Sequence, residues 1–416
     1  MSIQAPKGCR DIFAEEAKAV RYLEEQFSQL AEVYGFKEIR LPTFEHTELF
    51  LRGVGEQTDI VSKEMYSFTD KGGRSITLRP EGTAGVVRAY LEHGLAAEPS
   101  PLKLYYMINA FRYERPQKGR YREFQQFGME LFGSENPAAE ADILSFLDSY
   151  FKRLGLKDCE LVLNSIGCAE CRPAFHAELQ SYLRKEKDRL CPDCAERMER
   201  NPLRCLDCKL DSCQSVLADA PVPVDKLCPS CAEHYAEVKE LLNALKIPYR
   251  EDPKLVRGLD YYTRTVFEFH ADGIGAQSAI CGGGRYDSLV SSLGGPETPA
   301  VGFAFGVERL RMELEAKGIE LPELLKPRLQ IISFPETRAE SLALAKELRA
   351  AGIYLECDLM GRSFKAQMKQ ANRLAAEYIL IYGESELGAN ELKLRRMSDG
   401  EELLVARAAL KDFLSQ

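Results

Sequence analysis

This sequence of 416 residues has no long apolar run. Its longest runs fall well short of the ~20 residues that a membrane-spanning helix needs. The first residues, MSIQAPKGCRDIF, also lack the apolar region of a signal peptide. We therefore expect a soluble cytoplasmic protein without membrane contact. The five histidines show no arrangement typical of a catalytic triad. The chain also lacks an excess of positive charge, because its formal net charge is −9. This balance argues against indiscriminate binding of polyanions.

Cations are instead concentrated in one short segment. Residues 105–132 (YYMINAFRYERPQKGRYREFQQFGMELF) alternate aromatic and branched residues around Pro116 and Gly119, which predicts a β-hairpin. The loop holds five cations and one acid: Arg112, Arg115, Lys118, Arg120 and Arg122, with Glu114. Arginine can bind a phosphate group through two parallel hydrogen bonds. The loop is a candidate site for nucleotide or nucleic-acid phosphate, and the alternative is a solvated turn that only keeps the protein soluble.

Cysteines are concentrated in another segment. Of thirteen in the chain, nine lie between residues 168 and 231. Eight of these form C-x-x-C pairs, while Cys213 stands alone; the pairs are Cys168/Cys171, Cys191/Cys194, Cys205/Cys208 and Cys228/Cys231. In a reducing cytoplasm such spacing favours metal over disulfides, because two thiolates three residues apart can bind one tetrahedral zinc ion. The eight paired cysteines would fill two sites, and we predict at least one structural Zn²⁺; reduced thiols without metal are the alternative.

After residue 327 the sequence changes to short alternating units. Three strand patterns (RLQIISF, IYLECDL and YILIYG) are separated by two helical patterns (AESLALAKELRAA and FKAQMKQANRLAA), which predicts an αβ sandwich around a largely parallel sheet. No acid occurs from residue 359 to residue 376. Four cations in this stretch are three or four residues apart: Arg362, Lys365, Lys369 and Arg373. This stripe is either a solvated helix face or a surface for nucleic-acid phosphate.

Three more regions combine arginines, acids and glycines. They are TLRPEGTAG (77–85), LVRGLDYYTRTVFEF (255–269), and AICGGGRYDSLV followed by AVGFAFGVERL (279–310). With the hairpin, they resemble the motifs of the class II aminoacyl-tRNA synthetases and, within that class, the histidyl-tRNA synthetase family. FRYERPQKGRYREF resembles the second class motif, GFAFGVERL the third, and LVRGLDYY and GGGRYD the two histidine-specific segments. The resemblance covers essentially the whole chain.

This resemblance implies an α/β protein whose catalytic core is of the α+β type. Its antiparallel sheet with helices would span residues 1–165 and 249–326, interrupted by a small cysteine-rich inserted domain at 166–248. A C-terminal α/β anticodon-binding domain would occupy 327–416. Residues 14–34 carry apolar residues at helical spacing and predict an amphipathic helix, and FKEIRLPTFEHTELF (36–50) predicts a strand broken at Pro42. The second of these segments resembles the first class motif, which builds the dimer interface, so a homodimer is expected. The zinc prediction comes from cysteine spacing alone and not from the resemblance.

The implied reaction activates L-histidine with ATP, releases pyrophosphate, and transfers histidine to the 3′ end of tRNA(His). Because the histidine carboxylate attacks a phosphate, positive charge must offset their repulsion. By resemblance, Arg112 and Arg257 act at the α-phosphate as catalytic groups, and Arg309 binds the γ-phosphate. Glu114 and Arg120 also line the ATP site. Mg²⁺ is expected to arrive with ATP, held mainly by phosphates.

The amino-acid end of the site needs the opposite polarity. By resemblance, the ammonium group is bound by Glu81, Thr83 and Gln126, and the imidazole by Glu130 and Tyr262, with Tyr261 and Tyr286 nearby. Arg257 also meets the histidine carboxylate, and the cationic stripe of the C-terminal domain contacts tRNA. Structural alternatives exist for single residues: Tyr262 as core, Glu130 as a strand-edge charge, and Glu81 as an acid at a helix start.

The glycines at 282–284 leave room for a backbone or a ligand to approach, or they form a tight turn or bulge. Arg285 and Tyr286 beside them favour a ligand.

Two other functions fit parts of the sequence. A catalytically silent paralogue that regulates ATP phosphoribosyltransferase shares the same core, but it typically lacks the C-terminal domain and loses the histidine-specific motif. A zinc-stabilised RNA-binding protein would bind RNA with a steep salt dependence and never consume ATP. The retention of Arg112, Arg257 and Arg309 favours the enzyme over both.

Overall fold

The computed structural model describes residues 3–55, 58–271 and 279–415. The chain divides into two compact units, Met1–Pro322 and Glu323–Gln416. This division lies close to the predicted boundary at 326/327, and the cysteine-rich segment belongs to the first unit. In the described part of the chain, no helix is both long enough and apolar enough to cross a membrane.

The first unit contains ten α-helices and eleven strands within its described residues. Its helices are α1 (Ala14–Val33), α2 (Thr47–Val54), α3 (Thr83–Glu92), α4 (Ala138–Arg153), α5 (Arg172–Lys185), α6 (Pro192–Arg200), α7 (Asp211–Leu217), α8 (Pro229–Ala244), α9 (Leu289–Ser292) and α10 (Val307–Ala316). Its strands are β1 (Lys37–Glu38), β2 (Phe44–His46), β3 (Tyr66–Thr69), β4 (Ser75–Leu78), β5 (Leu102–Phe111), β6 (Glu123–Phe132), β7 (Glu160–Ser165), β8 (Tyr249–Glu251), β9 (Thr263–His270), β10 (Ala279–Arg285) and β11 (Ala300–Gly306).

Eight of these strands form the main sheet, in the order β1-β5-β6-β11-β10-β9-β7-β8. The six central strands pair antiparallel, and only the edge pairs β1/β5 and β7/β8 are parallel. The predicted antiparallel core is thereby confirmed. The sheet places β6 beside β11, which is followed by β10 and β9, so segments separated by more than a hundred residues meet on one surface.

The predicted hairpin is present as β5 and β6, which pair from Leu102 opposite Phe132 to Phe111 opposite Glu123. The cationic residues 112–122 form the connection between the two strands. Both faces of the hairpin are covered: Phe127 packs against Phe27 of α1, with ring centroids 5.1 Å apart, while Tyr106 lies in a second core cluster. Because both faces are buried, β6 has a nearly continuous run of buried residues toward its end.

The first helix agrees with its predicted span of 14–34. Its buried face consists of Ala19, Val20, Leu23, Phe27 and Ala31, and the helix ends just before Gly35, which has a φ of +79°. The predicted interruption at Pro42 separates β1 from β2. The residues after β2 form α2, although the sequence predicts a strand there. The reason is that the apolar residues Leu49, Phe50 and Val54 recur at helical spacing and are buried.

The second unit has a five-stranded sheet. Its elements are β12 (Leu329–Ser333), α11 (Arg338–Ala350), β13 (Leu355–Cys357), α12 (Phe364–Arg373), β14 (Tyr378–Tyr382), β15 (Glu391–Arg396), β16 (Glu402–Ala406) and α13 (Leu410–Ser415). The sheet order is β13-β12-β14-β15-β16, and the first three strands are parallel as predicted. The antiparallel hairpin β15–β16 extends the sheet beyond that prediction.

Candidate active site

One cleft in the first unit gathers residues from all four regions that the sequence singled out. Ten of the twelve side chains predicted for ATP and histidine line it: Glu81, Thr83, Arg112, Glu114, Arg120, Gln126, Arg257, Tyr261, Tyr262 and Arg309. The other two, Glu130 and Tyr286, are buried directly behind Thr83. The main sheet forms the floor, since β6, β10 and β11 contribute lining residues.

The hairpin supplies the cationic wall of the cleft. Arg112 Nε donates a 2.9 Å hydrogen bond to the carbonyl of Pro80, and its backbone N–H donates to the carbonyl of Arg122. The guanidinium carbon lies 5.3 Å from the centroid of the Phe124 ring, which also lines the cleft. Arg112 is therefore held by the neighbouring RPEG segment before any ligand arrives. A fixed planar donor of this kind is suited to phosphate.

Two arginines that line the cleft, Arg120 and Arg309, are close enough for the charge of one to affect the other. Burial, followed by the positive charge of Arg120, lowers the pKa of Arg309. Arg120 also lies 3.4 Å from a carboxylate oxygen of Glu114. Because two like charges repel, an anion bound between Arg120 and Arg309 would lower the energy of both. The arrangement is suited to a polyphosphate.

Arg257 enters the cleft from the loop before β9 and pairs with Glu268 on that strand. Burial alone would lower the pKa of Arg257, but the charges of Glu268 and Tyr262 outweigh it and raise the pKa. The guanidinium lies against the Cα of Gly282, where any Cβ would collide with it. Thus the first glycine of the run leaves room for the protein's own arginine. Nε of Arg257 is buried and has no hydrogen-bond partner among the described residues.

A carboxylate and an amide lie at the start of α3. Glu81 precedes the N-cap residue Gly82 and accepts hydrogen bonds of 2.7 and 2.8 Å from the backbone N–H groups of Thr83 and Ala84, so it does act as an acid at the helix start. It also lines the cleft. Gln126 accepts a 2.9 Å hydrogen bond from the N–H of Gly82. Burial raises the pKa of Glu81, although the N–H groups of Ala84 and Thr83 oppose this rise. A cationic ligand would stabilise the buried carboxylate.

Glu130 on β6 is the centre of a buried cluster of hydroxyl groups. It accepts hydrogen bonds of 2.7 Å from Thr83 Oγ1 and 2.5 Å from the Tyr286 hydroxyl, and Tyr106 donates a third at 3.3 Å. Burial raises the pKa of Glu130 to about 8, while the hydrogen bonds from Tyr286 and Thr83 oppose that rise. The strand-edge alternative for Glu130 is therefore wrong, because β6 lies inside the sheet and Glu130 is 1% exposed.

Tyr261 and Tyr262 contact each other near this cluster, with ring centroids 4.7 Å apart and ring planes tilted by 46°, and both line the cleft. Tyr261 also makes an edge contact with Tyr286 at 5.6 Å. Arg285, which the sequence favoured as a ligand-binding residue beside Tyr286, is not in the cleft lining. Its guanidinium is completely buried and is bound by Glu140 and Asp287, so it fixes β10 to α4.

Glu268 is a site residue that the sequence analysis missed. Its pKa is lowered because the charge of Arg257 and a 2.8 Å contact with His270 Nε2 outweigh the effect of burial. The sequence does contain an indication of this role, because Glu268 is the one acid in the otherwise uncharged strand pattern TVFEF. Tyr106 and Phe124 were also overlooked, because aromatic residues in a hairpin are ordinarily assigned to the core.

Two carboxylate oxygens of the cleft are suited to a magnesium ion. Oε2 of Glu114 and Oε2 of Glu308 are buried and accept no hydrogen bond from any described residue, and Oε2 of Glu114 lies 3.4 Å from Nη1 of Arg120 as an ion pair. Burial raises the pKa of Glu308, although an N–H group of Gln125 opposes this rise. Hard divalent cations prefer such oxygens, so the donor set fits Mg²⁺.

The cysteines of residues 166–248 come together in two groups of four: Cys168, Cys171, Cys228 and Cys231, and Cys191, Cys194, Cys208 and Cys213. The first group joins two of the predicted pairs. The second differs from the prediction, because Cys213 takes the position expected for Cys205. The spacing rule favoured the C-x-x-C pair, whereas the helical start of α7 brings Cys213 inward.

The predicted cationic stripe lies on and just before α12. All four of its residues are exposed, while Gln367 and Ala371 form the buried side of the helix. Arg362 hydrogen-bonds Gln370 and lies 3.8 Å from Asp358, so part of its charge is compensated. Lys365, Lys369 and Arg373 extend along the exposed side.

An antiparallel sheet that carries arginines from a β-hairpin and from the start of a helix after its neighbouring strand is the catalytic architecture of the class II aminoacyl-tRNA synthetases. Residues 8–310 match the family model for histidyl-tRNA synthetase, and residues 330–416 match that for the anticodon binding domain. The chain belongs to the histidyl-tRNA synthetase family.

Similar proteins support this assignment over the full length. The histidine–tRNA ligase of Acetivibrio thermocellus is 52% identical over 404 residues, covering 97% of each chain. That of Thermoanaerobacter sp. (strain X514) is 51% identical over 407 residues, covering 98% of this chain and 97% of the relative. The crystal structure of apo histidyl-tRNA synthetase from S. aureus has 39% identity, a TM-score of 0.84 and full coverage of both chains.

Proposed function

We propose that this protein is a histidine–tRNA ligase that forms histidyl-adenylate from L-histidine and ATP and then transfers histidine to tRNA(His). The observation that carries this proposal is that Arg112, Arg257 and Arg309 line the same cleft as the buried acid Glu81, with Glu130 directly behind Thr83 of that cleft. The cleft is cationic where polyphosphate would lie and acidic where an amino acid would lie. Neither a regulator without chemistry nor an RNA-binding module requires both.

In the activation step, the histidine carboxylate attacks the α-phosphate of ATP and pyrophosphate leaves. Arg257 and Arg112 would bracket the α-phosphate and offset the charge that accumulates when two anions meet. Because Arg112 is already fixed by the carbonyl of Pro80, little reorganisation is needed when the nucleotide binds. Arg309 and Arg120 would hold the γ-phosphate end, with Glu114 beside them.

Mg²⁺, when bound with ATP, would neutralise phosphate charge and keep the leaving pyrophosphate in position. Glu114 and Glu308 would hold the ion through the oxygens that lack hydrogen-bond partners. The rest of the activation step depends on the arginines.

Histidine selection would depend on the opposite wall. Glu81, Thr83 and Gln126 would bind the ammonium group, since they present a carboxylate and neutral acceptors on the cleft surface. Glu130 would reach the imidazole together with Tyr262, and Tyr261 and Tyr286 would hold these groups in place. An amino acid without a ring N–H would bury its side chain against Glu130 and Tyr262 without a hydrogen bond to either, which is a basis for its rejection.

The tRNA would contact the exposed cations Arg362, Lys365, Lys369 and Arg373 of the second unit. Their exposure and the absence of acids from residue 359 to residue 376 support phosphate contact. The reaction would take place in the cytoplasm, where tRNA is charged.

We also propose a homodimer built on the first class motif. Large apolar side chains in and beside this motif are exposed in the single chain, including Val33 (79%) and Phe44 (55%). Burial of such side chains by a second copy would remove them from water. Sedimentation equilibrium of the wild type and of Phe44→Asp tests this point, since the variant should dissociate at higher concentrations.

The reaction is tested by ATP–pyrophosphate exchange with each of the twenty amino acids. Exchange with histidine alone is the expected result. If a folded preparation exchanges with no amino acid, the catalytic proposal is wrong, and a regulatory role on a phosphoribosyltransferase becomes the better explanation.

A further inference from the structure

The two cysteine groups lie outside the cleft and are not needed for the proposed reaction itself. We call Cys168, Cys171, Cys228 and Cys231 the outer cluster, and Cys191, Cys194, Cys208 and Cys213 the inner cluster. Within each cluster all four sulfur atoms lie within 4.8 Å of one another. All eight cysteines are free of disulfides.

The distances between sulfur atoms distinguish metal sites from disulfides. Sγ of Cys168 lies 3.7 Å from that of Cys171 and 3.9 Å from that of Cys228, and Sγ of Cys191 lies 4.0 Å from that of Cys208. A disulfide would require about 2.05 Å. Four sulfurs placed tetrahedrally at about 2.3 Å from a zinc ion are roughly 3.8 Å apart. The observed separations match a tetrathiolate site.

Backbone N–H groups point at sulfur atoms in both clusters. In the outer cluster, the N–H of Cys228 donates to Sγ of Cys171 at 3.1 Å. In the inner cluster, the N–H of Cys191 donates to Sγ of Cys213 at 3.2 Å, and that of Cys194 to Sγ of Cys191 at 3.4 Å. Hydrogen bonds of this kind stabilise ligating sulfur atoms and orient them toward the metal.

Cys205 behaves differently although it is equally buried. Its thiol donates a hydrogen bond to the carbonyl of Cys194 at 3.5 Å. Its sulfur atom is not one of the four that lie within 4.8 Å of one another in the inner cluster. The chain therefore contains a natural control: a buried cysteine next to the inner cluster that is not part of it.

We propose that the protein binds two zinc ions, one in each cluster. The outer ion joins the residues just before α5 to the start of α8, so it ties together the two ends of the cysteine-rich segment. The inner ion joins the start of α6 to the connection between α6 and α7 and to α7 itself. Because α6 and α7 are short and no described strand lies within residues 166–248, metal bonds would hold these helices and their connections together.

The inner cluster also has a consequence for the cleft. Three side chains between its ligands Cys194 and Cys208 contact the catalytic part of the chain: Arg197 lies 2.9 Å from Asp59, Asn201 donates to Asp260 at 2.8 Å, and Arg204 donates to the carbonyl of Arg257 at 3.1 Å. The inner zinc ion thus holds in place the segment that carries Arg204, whose side chain supports the backbone of Arg257. This last step rests on the proposed function, whereas the two metal sites do not.

Metal analysis of the full-length protein, purified without chelator, tests the sites. Two zinc ions per chain are expected, with one in Cys213→Ser and two in Cys205→Ser. The proposal is overturned if the wild type contains no zinc or contains iron, or if Cys205→Ser loses metal while Cys213→Ser keeps both ions. Replacement of zinc by Co²⁺ should also give the visible absorption of tetrahedral cobalt thiolates.

A second measurement covers the case in which Cys213→Ser does not fold. Native wild-type protein should react with a chromogenic thiol reagent at no more than five sites, because eight of its thirteen cysteines would be ligands. A mercurial reagent should then release two zinc ions. Rapid reaction of the eight cluster cysteines without metal release would contradict the proposal.

Coupling to the cleft is measured by the KM for histidine in pyrophosphate exchange. Cys213→Ser should raise it roughly tenfold, as loss of an orienting contact does, while leaving the KM for ATP much less affected. Cys205→Ser is the matched control and should change neither. If Cys213→Ser loses one zinc ion but keeps its KM for histidine, the metal sites stand and the coupling fails; absence of exchange in the wild type instead removes the proposed function.

Discussion

Glu130 accepts a 2.5 Å hydrogen bond from the hydroxyl of Tyr286, although the two residues are 156 positions apart in the sequence. The contact is possible because β6 and β11 are neighbours in the sheet and Gly302 of β11 has no side chain where a Cβ would collide with the Glu130 carboxylate. Glu130 thus lies on β6 inside the sheet, where burial raises its pKa and favours the neutral carboxyl group.

This carboxyl group should make folding stability depend on pH. The pKa of Glu130 is about 8 in the folded chain, raised from 4.5 by burial, so the folded state keeps a proton that the unfolded state has lost. Its contribution is fully present below about pH 4.5 and is lost as the pH rises toward about 8. Glu130→Gln carries no charge, so its Tm should rise relative to the wild type between about pH 5 and pH 9. The exposed Glu98→Gln is the control, and a pH-independent difference would contradict this explanation.

Loss of Arg257 should remove transition-state stabilisation. Arg257→Ala is expected to lower the rate of histidine activation by roughly 10² to 10³, the usual effect of deleting a positioned charge at a developing anion. Arg257→Lys should rescue little, because a point charge does not reproduce the planar fork. Since Arg257→Ala also leaves Glu268 unpaired, Arg257→Ala combined with Glu268→Gln separates the two effects. A double variant with wild-type rate would remove Arg257 from the reaction.

A methyl group at position 282 should have nearly the same effect as a change of Arg257 itself. Any Cβ on Gly282 collides with the Arg257 guanidinium, so Gly282→Ala must displace that side chain from the cleft. We expect pyrophosphate exchange to fall at least tenfold, a change of about 1.4 kcal/mol in the barrier. Gly53→Ala is the matched control, because the added Cβ there would meet only ordinary contacts at 3.4 Å or more. Equal damage by both substitutions, measured as Tm and exchange rate, would indicate a general packing effect.

Removal of charge from α12 should weaken the tRNA step alone. Lys365→Ala combined with Lys369→Ala should raise the KM for tRNA and reduce its salt dependence, while exchange with histidine and ATP stays unchanged. The pair Lys346→Ala and Lys411→Ala removes the same charge from other exposed positions of the second unit. If the control pair raises the KM for tRNA as strongly, the effect is one of net charge and not of the α12 surface.

Local patterns predicted the secondary structure around the site. Alternation identified β5 and β6, helical spacing identified α1, and the strand–helix alternation after residue 327 identified the parallel strands of the second unit. The hairpin β15–β16 and the helical nature of residues 47–54 were missed, because short segments of mixed character fit more than one periodicity. Most candidate site residues came from the resemblance to family motifs, while composition alone left a solvated turn equally acceptable.

The sequence by itself determined the chemistry that is present: arginines that remain charged, acids that can be buried, and cysteines in pairs. Only the tertiary structure decided which of them act together. Arg285 and Arg257 have the same side chain, yet Glu140 and Asp287 enclose the first in the core, and the second faces the cleft beside Gly282. In the same way, Cys213 joins the inner cluster and Cys205 does not. Spacing along the chain measures distance only within one element, whereas burial, charge and ligand geometry depend on how distant elements pack.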